Sequence, residues 1–533
     1  MASLLNAAIA DLSEALSDGR LSSAALTTAY IARVLEANDY FHAVIETNPD
    51  AMDIAHALDE EQHTKGRRGP LHGIPILLTD SISTLDDMET TAGSAVLLGT
   101  RNCREATLVR RLRVAGAVIL GKTNMTELGD FHTSVAGTGW SSRGELCRGA
   151  YCFNMSGGGS SCGSAVATAL GLAAACIGCE TDGGIIYPAS RNGVVAIKPT
   201  VGLVSADGVI PVALKQDAAG PMARTVSDVA CLLEVLAEES TGRGHVSYTS
   251  ALTGTDLSGL RIGVPSSCLV ELSGTPLEEF NSALSLLEFC EATIVRDTNY
   301  ACLDDFLKLS EEEMGIVVAG CFQKDIRKYL TDLATNPHEL RGLSGIIEVA
   351  SRDPMRQYAE RERTIRSRRM NTTAGRRGCP SHDDDFQVAV LLDDYFGGDG
   401  GIPGTLKEHN LDLIVAPAVR GSEIDSGSRS GLSVTVSLAA RGGLPVVTVP
   451  LGKYPETTAV RQDLREPDKL VDVAPEIPFG IMFTGAAHSE EMLLRVAYAF
   501  EQMTNVRDTL VPLIPPKRDI PDLDAAYCRT LEI

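Results

Sequence analysis

The chain of 533 residues lacks any run apolar enough to cross a membrane. Its longest run of small apolar residues, Ala165 to Gly178, contains Thr168 and two glycines. It is shorter than the roughly 20 residues a span needs, and it reads as a buried helix. The start, Met1-Ala2-Ser3-Leu4-Leu5, lacks the basic region of a secretion signal, and Asp11 and Glu14 break the apolar stretch such a signal needs. Positive charge is short as well: 47 Lys and Arg stand against 70 Asp and Glu, a formal net charge of -23. A field of that sign repels phosphate backbones and anionic lipid, so neither nucleic acid nor membrane is expected as a partner. A disulfide framework is missing too. The 13 cysteines are an odd number, scattered along the chain, and reduced thiols in a cytoplasmic protein are expected. Cys176-Ile-Gly-Cys179 has C-x-x-C spacing but no second pair and no histidine pattern. It reads as two small buried residues near a strand and not as a zinc or redox site. No residue pattern calls for a metal or a cofactor. No internal repeat and no long linker divides the chain.

Hydrophobic residues make up 44% and charged residues 22%, an ordinary globular composition. Length alone would allow two to four domains; without a linker, one domain over 1–533 is expected. Residues 1–65 carry helical spacing at Ala7, Ile9, Leu12 and Leu16, then at Leu26, Tyr30, Ile31 and Val34. From 66 to 265, strands and helices alternate: Ile74 to Leu78, the amphipathic Ala106 to Ala115, Val118 to Leu120, and Leu260 to Val264. That rhythm predicts an α/β fold. Residues 300–400 read as a charged helical insertion on the surface that is expected to shape the pocket. Its mobile loop spans Arg366 to Asp385, where Arg376-Arg377 stands beside Asp383-Asp384-Asp385. The α/β pattern resumes over 405–533 with Leu413 to Val415, Pro445 to Val449 and a last helix, Glu490 to Thr504.

The most informative stretch is Gly157-Gly158-Gly159-Ser160-Ser161-Cys162-Gly163-Ser164-Ala165, followed by Glu180-Thr181-Asp182-Gly183-Gly184-Ile185-Ile186-Tyr187-Pro188-Ala189. Glycines there allow positive φ and close backbone approach, and consecutive N–H groups form an anion-binding nest. Together the two segments read as a loop presenting a serine hydroxyl and a row of N–H donors to a carbonyl.

Taken with Gly73 to Asp80, Gly121-Lys122-Thr123-Asn124, Lys198-Pro199-Thr200-Val201-Gly202 and Gly220 to Arg224, these segments resemble the amidase signature family in content and order. The Glu-Thr-Asp-Gly turn is similar to its fungal-type branch. The resemblance implies a large mixed β-sheet covered by helices on both faces. It also implies amide hydrolysis by a Ser–Ser–Lys triad with a backbone oxyanion hole. In this register the family lysine falls at Thr79, the bridging serine at Ser160 and the nucleophilic serine at Gly184, which lies 24 residues after Ser160, the family separation. Thr181, Asp182, Gly183 and Gly184 would supply the oxyanion hole, with Tyr187 and Cys162 as substrate-binding positions. His132, which titrates near neutrality, is a second candidate acid or base beside Ser160; a satisfied histidine behind the site is the equal reading. Cys162 could be a nucleophile, but an unactivated buried thiol is the favoured reading, because no base is placed beside it in sequence.

Two triad positions without functional groups predict that hydrolysis is lost. The expected function is then a non-hydrolytic step on a carbonyl-containing small molecule: cyclisation, condensation, cycloaddition or epimerisation. A non-catalytic binder of a small molecule or partner, and a hydrolase with displaced or engineered-out catalytic residues, are the alternatives. The expected partner is a small-molecule substrate; a homodimer is left open.

Overall fold

The computed structural model describes residues 4–130, 139–238, 246–270, 272–352, 384–419, 431–463 and 469–517. Three helices come first, α1 (Ile9–Ser17), α2 (Ser23–Phe41) and α3 (Ala51–Lys65), with strand β1 (Val44–Thr47) between the last two. The helical spacing before residue 65 anticipates the helices but not β1. That strand forms because it pairs antiparallel with β3 (Val118–Thr123), a partner 70-odd residues away.

The centre is one sheet of eleven strands in the order β1-β3-β2-β4-β6-β5-β10-β11-β9-β7-β8. The other strands are β2 (Pro75–Thr79), β4 (Ala175–Glu180), β5 (Val195–Lys198), β6 (Ala218–Ala223), β7 (Arg261–Val264), β8 (Thr293–Arg296), β9 (Leu413–Ala418), β10 (Val446–Lys453) and β11 (Pro478–Gly485). Strands β3, β2 and β4 run parallel, as do β9, β7 and β8 at the far end; the strands between alternate in direction. Every residue of β2, β3, β6, β9 and β11 is buried. Both faces are therefore covered, which is why these strands read as continuous apolar or small-residue runs. The cover comes from α4 (Thr107–Val114), α5 (Cys162–Leu170), α6 (Ile186–Arg191), α7 (Val226–Leu236), α8 (Thr275–Phe289) and, after the insertion, α11 (Gly431–Arg441) and α12 (Glu490–Thr504). The α/β architecture and the sheet with helices on both faces are as expected from the sequence.

One element differs. The small-residue run read as a single buried helix is two elements. Helix α5 stops at Leu170, capped by Gly171 at φ 66°, and Ala175 begins β4. A side chain at 171 would sit 2.7 Å from the Leu4 carbonyl oxygen, so only glycine fits. Alanine-rich sequence suits a helix by propensity, but pairing with Ile76 to Leu78 of β2 and with Ala218 to Met222 of β6 decides for strand. Cys176 and Cys179 lie on β4 as free thiols.

Residues 300–352 and 384–397 supply α9 (Glu311–Thr331) and α10 (Asp384–Gly397). Ser310 caps α9, accepting the Glu313 N–H while Glu313 accepts the Ser310 N–H. Phe322, Ile326 and Leu330 of α9 are fully or nearly fully buried and pack with Leu97, Met125, Leu128 and Ile210 in a second apolar cluster. This part of the insertion is thus a wall of the structure and not a surface appendage. The polar stretch of the insertion before Asp384 lies outside the described residues.

Candidate active site

The parallel strands β2, β3 and β4 end side by side at Thr79, Thr123 and Glu180. A cavity open to solvent lies just beyond, lined by Ser81, Met125 and Thr181 from the segments that follow those strands and by Ser160. Binding outside the carboxyl ends of parallel strands is the common arrangement in α/β sheets. Leu128, Ile210, Val212, Asp217 and Phe322 close the other sides.

Ser160 ends the glycine loop, after a cis Gly159–Ser160 peptide. A β-carbon on Gly158 (φ 76°) would sit 2.9 Å from the Pro188 Cα, so glycine is required there. The Ser160 carbonyl accepts the Thr126 N–H at 2.9 Å, and its half-buried side chain faces the cavity. The neighbouring hydroxyls are committed elsewhere. Ser161 donates to the Cys179 carbonyl at 2.8 Å and accepts the Cys179 N–H at 2.9 Å. Ser164 bonds Thr123 at 2.7 Å inside the core. Ser160 is the serine of the block that reaches the cavity.

The turn after β4 is held on three sides. Glu180 Oε2 accepts the N–H groups of Ile185 at 2.7 Å and Ile186 at 3.0 Å. Thr181 donates its hydroxyl to Asp217 at 2.6 Å. Asp182 accepts the Ser437 hydroxyl at 2.9 and 2.8 Å, with Arg441 at 3.5 Å. Gly183 takes φ 80°, a conformation for glycine. Among the described residues, the N–H groups of Asp182, Gly183 and Gly184 have no hydrogen-bond partner. Such a row is the donor set an oxyanion needs.

Thr79 ends β2 fully buried, its hydroxyl 3.7 Å from the Met125 sulfur, with Met125 between it and the cavity. Gly184 is buried, and a β-carbon built on it would lie 2.5 Å from the Ser160 Oγ. Cys162 opens α5 with its sulfur at 3.8 Å from the Asn124 carbonyl oxygen and 3.7 Å from that of Gly139, away from the cavity wall. Tyr187 also lies off that wall; the Arg191 guanidinium sits 5.9 Å from its ring centroid. His132 lies outside the described residues.

Titratable groups at the wall include two that the sequence reading did not single out. Burial pushes the Glu180 carboxyl up, opposed by the buried Lys198 amine. The same burial brings Lys198 down to about 8, opposed by Glu180. Burial also pushes up Asp217, although it accepts the Thr181 hydroxyl and the Val212 and Ala213 N–H groups. The Cys179 thiol is pushed up to about 12 by burial, which makes it a poor nucleophile near neutrality. Glu180 had one sequence signal, an acidic residue between an apolar strand and glycines. Asp217 and Phe322 had none, because each reaches the site through a long-range contact. Among the described residues no group of three or more His, Cys, Asp or Glu is placed to hold a metal. Among them, too, no helix is long and apolar enough to cross a membrane.

The family model for amidases matches residues 25–494. A protein of Arthroderma benhamiae that is named as an amidase is 36% identical over 503 residues, spanning 92% of this chain and 81% of its own. One of Arabidopsis thaliana, also named as an amidase, is 32% identical over 528 residues, spanning 97% of this chain and 92% of its own. The solved native peptide amidase from Stenotrophomonas maltophilia is 35% identical with a TM-score of 0.81, covering 94% of this chain and 98% of that one. These likenesses overturn the expectation that the scaffold has left amide hydrolysis for a non-hydrolytic carbonyl step. Relatives matched over nearly the whole chain carry amidase names. The family model, the matched relatives and the superposed fold agree, and the chain belongs to the amidase family.

Proposed function

We propose that this protein hydrolyses a carboxamide and that Ser160 supplies the attacking hydroxyl. The observation that carries the reading is the place of the Ser160 oxygen. Ser160 lines the cavity, its oxygen 2.5 Å from where a side chain at 184 would start, in the turn whose Asp182 to Gly184 N–H groups are unpartnered among the described residues. A carbonyl whose oxygen meets those donors presents its carbon to Ser160. Attack forms the Oγ–C bond, the C–N bond breaks, and the Ser160 proton leaves on the amine. Water then cleaves the acyl ester, releasing the acid and restoring the hydroxyl. Donors of this kind are worth roughly 3–4 kcal/mol toward the oxyanion.

The rate is expected to be modest. Thr79 offers no amine where the resemblance implies one. With no amine at 79 and no hydroxyl at 184, the loss is expected to be of the kind that missing triad members cause, on the order of 10⁴–10⁶ in rate. The test is ammonia release from a panel containing hexanamide and 4-phenylbutyramide, compared with Ser160→Ala. Release by the wild type that the variant abolishes supports the reading. Release no faster than buffer, or equal in the variant, overturns it.

A further inference from the structure

We infer that the cavity selects amides whose distal part is apolar and free of carboxylate, and that Phe322 of the insertion helix sets the size it accepts. This rests on the site being the amide-binding site proposed above. The polar residues of the cavity lining are Ser81, Ser160, Glu180, Thr181 and Asp217, with the Asp182–Gly184 turn continuing from Thr181. Met125, Leu128, Ile210, Val212 and Phe322 are its large apolar side chains. Among the described residues of the wall there is no lysine, arginine or histidine, and its ionisable carboxyls are the acids Glu180 and Asp217.

Asp217 has its oxygens filled by the Thr181 hydroxyl and the Val212 and Ala213 N–H groups. It therefore offers a ligand no free acceptor, and as a carboxylate it has no proton to donate. Burying an unpaired carboxylate in such surroundings is costly, whereas an alkyl or aryl group gains from leaving water. The turn's N–H groups take the amide oxygen and are not free for a second anion at the other end.

Phe322 gives this wall its origin. It is fully buried, on a helix of 21 residues, in the cluster formed with Met125, Leu128 and Ile210. The helix is tied to the opposite wall by Asp325, which accepts the Leu214 N–H at 3.0 Å. Lys215 of that same loop pairs with Asp393 and Asp394 of α10, both at 2.8 Å. The aromatic wall is therefore supported and will not simply swing aside.

The test is direct binding by titration calorimetry to the full-length protein, with Ser160→Ala used in parallel so that turnover does not interfere. The probes are 4-phenylbutyramide, 4-(4-carboxyphenyl)butyramide and 4-(2-naphthyl)butyramide. The expectation is that 4-phenylbutyramide binds at least tenfold more tightly than its carboxylated analogue. Phe322→Ala should weaken the phenyl probe several-fold and strengthen the naphthyl probe. Phe322→Leu, which keeps the apolar wall, guards against loss of fold and should change both less. Equal or tighter binding of the carboxylated probe, no saturable binding of the phenyl probe, or a Phe322→Ala variant with an unchanged order overturns the inference. Selective binding without ammonia release overturns the hydrolytic reading and leaves this inference standing.

Discussion

The hydroxyl oxygen of Ser160 lies 2.5 Å from the point a β-carbon on Gly184 would occupy, and the Cys179 carbonyl oxygen lies 2.9 Å from the same point. Residue 184 therefore cannot gain a side chain unless Ser160 turns. Gly184→Ala is expected to lower amide hydrolysis at least tenfold and stability by about 1–3 kcal/mol, the usual cost of overpacking. In a Ser160→Ala background the same change should cost less, because the carbonyl contact alone remains. A double-mutant cycle in urea measures the difference, expected at about 0.5 kcal/mol or more. Strict additivity would show that the two positions do not compete for space.

Restoring the groups that the family resemblance implies should raise turnover. Thr79→Lys alone puts an amine into a fully buried position and should lower the melting temperature. Thr79→Lys with Gly184→Ser gives that amine a partner chain through Ser160. Ammonia release from 4-phenylbutyramide should rise at least a hundredfold, within the roughly 10⁴–10⁶ that complete triads gain over broken ones. A folded double variant no faster than the wild type would argue that the register of the three positions is wrong.

Glu180 fixes the donor turn. Its Oε2 holds the Ile185 and Ile186 N–H groups, and the buried Lys198 amine faces it electrostatically. Glu180→Ala leaves two buried donors without an acceptor and Lys198 without its counter-charge. Each orphaned donor costs about 1–3 kcal/mol. Glu180→Gln keeps one acceptor oxygen and should recover part of the loss. If the turn matters for the transition state, the alanine variant loses kcat more than it raises KM. A variant with normal kcat and only a lower melting temperature would confine Glu180 to a structural role.

A pH effect is expected far from the site. Burial raises the Glu501 carboxyl from 4.5 to about 7, while its oxygen accepts the Val226 N–H at 2.9 Å. The folded protein holds this proton more tightly than the unfolded chain. The stabilisation is therefore complete below about pH 4.5 and lost as pH rises through 7. Partial exposure limits the effect to about 2–3 kcal/mol. Neighbouring Asp228, raised by burial to about 6, acts in the same direction. Glu501→Gln should flatten part of this slope, read as urea midpoints at pH 5 and pH 8. An identical slope in the variant would place the titration elsewhere.

Much of the scaffold was readable because local pattern and tertiary demand agreed. Pro75–Thr79 and Val118 to Leu120 are mostly apolar runs that need both faces covered, and Glu490–Thr504 has a helical stripe with buried Leu493, Val496 and Phe500. Where they disagreed, local pattern misled. The alanines after Gly171 favour a helix on their own, and only the flanking strands β2 and β6 make them β4. Val44–Thr47 is too short to announce itself without its partner in β3. The insertion read as surface because its charges are visible in sequence, while the single buried face of α9 shows only against Leu128 and Ile210.

The sequence by itself determined the family, the glycine-rich loop and the identities at 79, 160 and 184. Each depends on residue type in order, and substitutions of side chains by threonine and glycine are visible in one dimension. The tertiary structure alone decided which hydroxyl meets the cavity and which side chains wall it. Ser160, Ser161 and Ser164 are equivalent in the chain. They part company because hydrogen bonds to β4 and β3 tie down the last two, leaving Ser160 beside the space that Gly184 leaves open. Asp217 and Phe322 join them across long separations that pairing and burial, not local propensity, bring together.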